Sequence, residues 1–384
     1  MKISQYKVIR INKRKIYIGS PKQKELDRKV HEDLKRKYRL YNKNRDYIIR
    51  SIINTLVDSS ENIVAGGKFT IINIDIADFF SSINTHRLYR RILRSGIIKD
   101  TSLKKIKQIV FSSKIKGIPQ GVSFSSALAE IYLEDFDKKI PLVYSNLILF
   151  KRYVDDIIII CWGDHTRKVI DEGKSTDKNL KIMKDILRDL QLGMNKKHSV
   201  EVVDAESDFK FSYLGYTFTG QTQSEKLNVS VDSKKIKKYK KNIRMLFSKF
   251  NRGVKSQKRF YKLYYNLRNL LWETGTKNFK NGKEFTFGFK YNYREINDYS
   301  SFDEINQELK SQIYKAKSFT NQQKRLLHSL FLDKDKVQKF NFNSASKPQL
   351  IGIMRKLNVT PQTSMGTERL CDVWISQIFK ELYN

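Results

Sequence analysis

The chain has 384 residues, of which 40% are hydrophobic, with 23 Phe and 20 Tyr; that exceeds one typical domain, is ample for a buried core and points to two or three subdomains. Its 75 Lys and Arg against 40 Asp and Glu leave a net charge of +35, a self-repelling excess that calls for a polyanionic partner, nucleic acid first. An anionic membrane surface would also attract it, but the longest apolar stretches, such as Ile157 to Trp162, are far too short to span a bilayer, so no membrane partner is expected.

Met1 to Arg14 is alternating and basic, without the apolar segment of a signal peptide, so a cytoplasmic location is expected. Ile9 to Ile18 reads as short basic strands. Pro21 to Tyr41 reads as a basic helix with Leu26, Val30 and Leu34 on its apolar face, and Asp46 to Val57 as a second helix. Gly66-Gly67 breaks the chain before a strand at Phe69 to Ile76, and helical spacing resumes at Leu88, Ile92 and Ile97. After Gly117-Ile118-Pro119-Gln120-Gly121, Ser125 to Phe136 carries Leu128, Ala129, Tyr132, Leu133 and Phe136 on one helical face. Leu147 to Phe150 and Ile157 to Trp162 flank the polar segment Lys151 to Asp156, which reads as a hairpin with acids at its tip. A helix from Asn179 to Leu192 precedes a strand-rich stretch ending near Val231. Cys161 and Cys371 support neither a disulfide framework nor a zinc site and read as small buried hydrophobes.

The character changes at Asp232. Lys234 to Lys262 holds 13 Lys or Arg and no acid, with Ile236, Tyr239, Ile243, Leu246 and Phe250 at helical spacing and Asp232 or Ser233 as N-cap. Thirteen unopposed charges on a solvated face would repel one another, so the helix is expected along a phosphate backbone, with Lys237, Lys241 and Arg244 as contacts. Beyond Gly275, Phe279, Phe285, Phe287, Phe289, Tyr291 and Tyr293 alternate with basic residues, and the chain then turns helical. The expected domains are residues 1–230, 231–300 and 301–384.

Two apolar runs contain acids: Ile71 to Phe80 holds Asp75 and Asp78, and Tyr153-Val154-Asp155-Asp156 lies between two more. A carboxylate removed from water costs several kcal/mol unless it is paired or bound to a metal, so acids clustered on buried strands suggest a divalent-cation site. Two-metal phosphoryl or nucleotidyl transfer is the obvious use. Asp78, three residues on, suits a helix start, where a carboxylate caps free amides.

In the order Asn73 to Phe80, Gly117 to Gly121, Tyr153 to Asp156 and Tyr213-Leu214-Gly215-Tyr216, the chain resembles a reverse transcriptase over about residues 9 to 220, with a looser match to a thumb afterwards. The resemblance implies an α+β right-hand polymerase: fingers and an antiparallel-sheet palm, then a helical thumb and a helical C-terminal extension. Asp75 matches the first metal-binding aspartate and Asp155 with Asp156 the later pair, the Ile76 carbonyl being a further metal contact. The implied cofactor is two Mg²⁺, with Mn²⁺ as a substitute. Phe80 falls where a bulky side chain abuts the sugar and selects deoxynucleotides, although one of Phe79 and Phe80 must face the core. Gln120 and Gly121 match the loop that approaches the incoming nucleotide. Arg14 is the candidate triphosphate grip, with Lys13 and Lys15 as rivals, and Arg50-Ser51 resembles a template-contacting block. Leu192 to Ser199 resembles the segment that supplies a proton to pyrophosphate, with His198 where a Lys is usual; Lys197 is its rival, and a His198 without a role is an equal alternative. Tyr213, Leu214 and Gly215 match the hairpin that holds the primer end.

Val122-Ser123-Phe124-Ser125-Ser126 stands where many relatives have a Pro after the second Ser, which argues against the group II intron branch. With no RNase H signature, His-Asn-His pattern or Cys pairs in view, the chain looks most like bacterial retron and defence-associated or abortive-infection reverse transcriptases. That likeness implies antiphage defence, an RNA template and DNA product, a partner non-coding RNA, and in some cases a partner protein, homo-oligomers or untemplated or protein-primed synthesis. A catalytically inactive nucleic-acid scaffold and an RNA-dependent RNA polymerase are the competing readings.

Overall fold

A computed structural model describes residues 6–11, 14–41, 44–64, 68–203, 208–221, 226–278, 283–316, 318–360, 365–367, 369–371 and 373. Lys13, Gly66, Gly67 and Phe279, named above, lie outside them. The chain divides into two compact units, one of residues 1–209 with 220–227 and one of 210–219 with 228–384. Among the described residues, no helix is long and apolar enough to cross a membrane.

The first unit opens with the antiparallel hairpin β1 (Tyr6–Ile11) and β2 (Arg14–Gly19), then α1 (Pro21–Lys37) and α2 (Arg45–Val64). Strand β3 (Phe69–Ala77) leads through α3 (Phe79–Ser82) to α4 (Thr85–Ser95), α5 (Asp100–Val110), α6 (Ser125–Tyr132) and α7 (Glu134–Val143). The hairpin β4 (Leu147–Tyr153) and β5 (Asp156–Trp162) follows, then the small hairpin β6 (Lys168–Asp171) and β7 (Lys174–Asp177), α8 (Lys178–Asp189), β8 (Gly193–Met194) and β9 (Ser199–Val203). The main sheet has the order β4-β5-β3, with β8 and β9 both pairing with the far edge of β3, all antiparallel. Its central strands are buried on both faces: Ile71, Ile72, Ile74 and Ile76 of β3 and Ile157 to Cys161 of β5 are at most 1% exposed. That explains their near-continuous apolar sequence. Leu34, Leu88, Ile92, Ile106, Leu128, Phe136 and Leu187 of the surrounding helices complete the same core.

Two sequence expectations change here. Helix α4 stops at Ser95, where Gly96 takes φ +63° and donates to the Leu93 carbonyl, so Ile97 lies outside the helix and is exposed. The single helix expected over Ser125 to Phe136 is two, separated at Leu133; the apolar face survives the break because Leu133 and Phe136 are fully buried.

Most of the three-stranded sheet β10 (Phe209–Tyr213), β11 (Tyr216–Gln221) and β12 (Lys226–Val231) belongs to the second unit, which continues with α9 (Ser233–Asn251) and α10 (Gln257–Leu271). Strands β13 (Glu273–Asn278) and β14 (Lys283–Phe287) precede α11 (Phe289–Asn292), α12 (Ser300–Lys315), α13 (Asn321–His328), β15 (Lys339–Asn341) and α14 (Lys347–Lys356). The aromatic alternation beyond Gly275 is thus partly the period of a strand: β14 pairs antiparallel with β13, β15 joins β13 in parallel, and Phe285 and Phe287 stack on one face at 6.1 Å. Asp232 caps α9 as expected, accepting from the Lys234 amide. Cys161 and Cys371 are buried and form no disulfide, and the Cys371 thiol donates to the Phe342 carbonyl at 3.6 Å.

Candidate active site

The register of the central sheet places Asp75 opposite Asp156. Tyr153 pairs with Asp156 across the β4–β5 hairpin, leaving Val154 and Asp155 as a two-residue turn. Val154 takes φ +59°, a left-handed conformation that a β-branched residue adopts only under strain. The Asp155 carbonyl accepts from the Ile76 amide at 3.2 Å, which holds the turn beside Asp75. Burial pushes the Asp75 carboxyl above the usual carboxylate range; the Asp155 charge adds to the rise, while the Asn195 amide and the charges of Lys197 and Arg14 oppose it. Burial likewise raises Asp155, against the charges of Arg14 and Arg152.

Three long-range contacts fix this arrangement. Asn195, just after β8, donates from Nδ2 to Asp75 Oδ2 at 2.8 Å and from its backbone amide to the Asp75 carbonyl at 2.7 Å. Arg152, 3% exposed, pairs through Nε and Nη2 with both oxygens of Asp137, binds Glu130, and donates from Nη1 to the Val154 carbonyl at 2.8 Å. Burial works against its charge, and the hydrogen bonds and charges of Asp137 and Glu130 more than offset that. Finally, the Tyr17 amide of β2 donates to the Gln120 carbonyl at 2.8 Å, so the strand that begins with Arg14 is stitched to the 117–121 loop.

Two glycines allow that loop its close approaches. A Cβ on Gly117 (φ +67°) would lie 2.2 Å from the Phe80 carbonyl oxygen, and one on Gly121 (φ +92°) 2.7 Å from the Tyr17 carbonyl oxygen. Phe80 accepts from the Ile118 amide at 2.9 Å. Phe79 is the ring that faces the core, at 2% exposure, and the half-buried Phe80 packs edge-on against it at 5.6 Å.

The reverse transcriptase (RNA-dependent DNA polymerase) family model matches residues 10–218. The chain belongs to the reverse transcriptase family. Reverse transcriptases are RNA-directed DNA polymerases and hence nucleotidyltransferases. Among solved structures, the fold is similar to apo telomerase from Candida tropicalis, at 15% identity and a TM-score of 0.42 over 94% of this chain and 58% of that one. It is also similar to telomerase from Candida albicans in complex with a TWJ fragment of telomeric RNA, at 14% identity and a TM-score of 0.40 over 93% and 54%. The chain thus spans about half the length of these structures. No curated protein matches it significantly.

Reverse transcriptases use divalent metal ions. Among the described residues, no group of three or more His, Cys, Asp or Glu side chains is gathered closely enough to hold a metal; of the acids, Asp155 is the one whose charge acts on Asp75. That pair fits a divalent cation: both groups are hard oxygen donors, and burial leaves their charges short of compensation. Lys197 and His198 are exposed; the Lys197 charge acts on Asp75, and His198 Nδ1 lies 2.9 Å from the Asn195 carbonyl oxygen. Asp78 differs from the sequence expectation. It stands before α3 at φ +45° with an exposed side chain that caps nothing, and its carbonyl, not its carboxylate, accepts from the Ser81 and Ser82 amides.

The remaining candidates lie elsewhere in the fold. Arg50 is exposed on α2. In the second unit, Tyr213 is buried and Leu214 and Gly215 form the β10–β11 turn with φ +49° and +84°. Lys237 and Lys241 are exposed on α9, but Arg244 forms a two-bond pair with Glu308 of α12, and Lys240 pairs with Glu304. At least two of the 13 charges therefore have acidic partners about 60 residues downstream, against the expectation of an unopposed face. Asn195 and Arg152 are the functional-site residues that sequence reasoning missed.

Proposed function

We propose that this reverse transcriptase adds deoxynucleotides to a primer on an RNA template, with Asp75, Asp155 and the Ile76 carbonyl holding Mg²⁺ and Asp156, opposite Asp75 in the sheet, joining as a third carboxylate once the cations draw the acids together. The observation that carries this reading is the register: it sets Asp75 opposite Asp156 and puts Asp155 in the intervening turn, where its charge reaches Asp75. When bound, the cations would polarise the α-phosphate and stabilise the attacking and leaving oxygens.

The protein groups supply position and protons. Arg14, whose charge is felt at both aspartates, offers a guanidinium fork to the triphosphate. The Gln120–Gly121 backbone forms the close wall for the nucleotide, and the Phe80 ring excludes a ribose 2′-hydroxyl. Lys197 or His198 protonates the departing pyrophosphate. Tyr213, Leu214 and Gly215 hold the primer end, Arg50 contacts template, and Lys237 and Lys241 contact backbone phosphates. In these terms residues 1–230 are fingers and palm, 231–300 thumb and 301–384 an extension.

Primer extension with Mg²⁺ and dNTPs tests this directly: wild type extends and Asp155→Asn does not. Equal incorporation by the two removes the metal role. Phe80→Ala is expected to admit rNTPs, which also separates this reading from an RNA-dependent RNA polymerase.

The biological setting we propose is bacterial antiphage defence with a partner non-coding RNA. It is supported by the Arg14 to Ile18 segment, which resembles the fingers segment of retron-like enzymes, and by the Val122 to Ser126 departure, which argues against the group II intron branch. Sequencing of co-purified nucleic acid, with phage plating of wild type and Asp155→Asn, tests that setting.

A further inference from the structure

The second unit contains a basic cleft that the polymerase reading does not use. Helices α9 and α10 and the turn between them enclose about 610 Å³, within the range of small-molecule sites and larger than a lone phosphate needs. Lys249, Arg252, Lys258, Arg259 and Lys262 line it, and among the described residues no acid does. Arg259 is already fixed, donating from Nε to the Phe250 carbonyl at 3.1 Å and from Nη2 to the Lys249 carbonyl, so its charge is anchored at the wall. The first turn of α10 also has no acidic residue, and its cap is the neutral Ser256, whose hydroxyl accepts from the Arg259 amide at 3.3 Å.

The cleft is not only a charged surface. Leu246, Phe250 and Leu263 give it an apolar floor. Asn266 lines it too and is fully buried. Its Nδ2 donates to the Lys262 carbonyl at 2.9 Å, and its Oδ1 has no partner. A buried acceptor without a donor is unfavourable, so a ligand that brings an N–H or O–H to it is favoured.

We propose that this cleft is a nucleotide-phosphate site separate from the polymerase centre. The phosphates face Arg252 and Lys258, the base or sugar lies on the apolar floor, and Asn266 Oδ1 accepts from a base N–H or a sugar hydroxyl. The ligand is either a free nucleotide or the 5′-phosphorylated end of an RNA strand; the recognition chemistry is the same. The site rests on the second unit alone and stands or falls independently of the aspartate pair.

Photolabelling with 8-azido-ATP, followed by mapping of the labelled peptides, tests it in full-length wild type without primer and in Asp155→Asn. Label is expected between residues 246 and 266 in both. Arg252→Gln with Lys258→Gln should lower it about tenfold, whereas the charge-matched Lys22→Gln with Lys24→Gln on α1 should leave it unchanged. Stronger competition by ATP assigns a free nucleotide; stronger competition by 5′-phosphorylated than by 5′-hydroxyl RNA assigns a strand end. Absence of label from this stretch, competition by neither ligand, or an equal fall in both double variants overturns the proposal.

Discussion

Replacing Arg152 by Met separates a buried ion pair from an exposed one within the same unit. The Arg152 side chain is 1% exposed, against 22% for Glu130 and 32% for Asp137. Removing one member of a buried pair costs about 3–5 kcal/mol. Both acids keep some contact with water, so the lower end, about 3 kcal/mol, applies here. In a unit of about 200 residues that is a fall in Tm of about 6–12 °C. Arg91 is the internal control. It also binds two carboxylates, Glu134 at 2.6 Å and Asp135 at 2.5 Å, but its side chain is 27% exposed and theirs 38% and 51%. Arg91→Met should therefore cost about 1 kcal/mol or less. Arg152 also holds the Val154 carbonyl in the acid-bearing turn, so Arg152→Met should lose primer extension at temperatures well below its Tm, and Arg91→Met should not. Thermal unfolding and extension assays of both variants decide it. Equal Tm values for the two would refute the claim that burial, not ion-pair geometry, sets the energy.

Four further outcomes are expected. Asp75→Asn should abolish extension yet raise Tm at pH 7 by at most about 2–4 °C, roughly 1 kcal/mol, because the carboxylate is partly solvated. The sign follows from its raised pKa: the stability is present below the ordinary aspartate range and lost as pH rises through the folded value, so the gain should vanish at low pH. Asn195→Ala removes a hydrogen bond that favours ionised Asp75, so the acid limb of the extension rate profile should move to higher pH. Gly121→Ala forces an L residue to φ +92° and drives its Cβ onto β2; a cost of about 1–2 kcal/mol should appear as a rise of roughly tenfold in the KM for dNTP. Val154→Gly should relieve the left-handed turn and raise Tm, offset in part by the lost apolar contact.

What could be read from sequence, and what could not, divides along the distance over which each residue acts. Asp75 and Asp155 stood out because a carboxylate inside an apolar run contradicts its own neighbours, and the conflict is local. The β4–β5 hairpin was legible for the same reason: a polar interval between two apolar strands allows little else. Leu133 shows the limit of periodicity, since its side chain fits the helical face while the backbone breaks beneath it. Asn195 and Arg152 carried no local signal. An Asn before two lysines reads as a solvated turn, and only the pairing of β8 with β3 brings it to an acid 120 residues away.

The basic helix is governed by the same long-range pairing. Charge counted along the chain made α9 look uniformly unopposed, but a helix has faces, and the face carrying Lys240 and Arg244 meets Glu304 and Glu308 of α12. Packing therefore sorts the 13 cations into those that hold the second unit together and those left toward solvent or a ligand. Lys237 and Lys241 belong to the latter, as do Arg252 and Lys258 at the cleft. Net charge predicts that a polyanion binds; only the acids that arrive from elsewhere in the chain determine which cations remain to meet it.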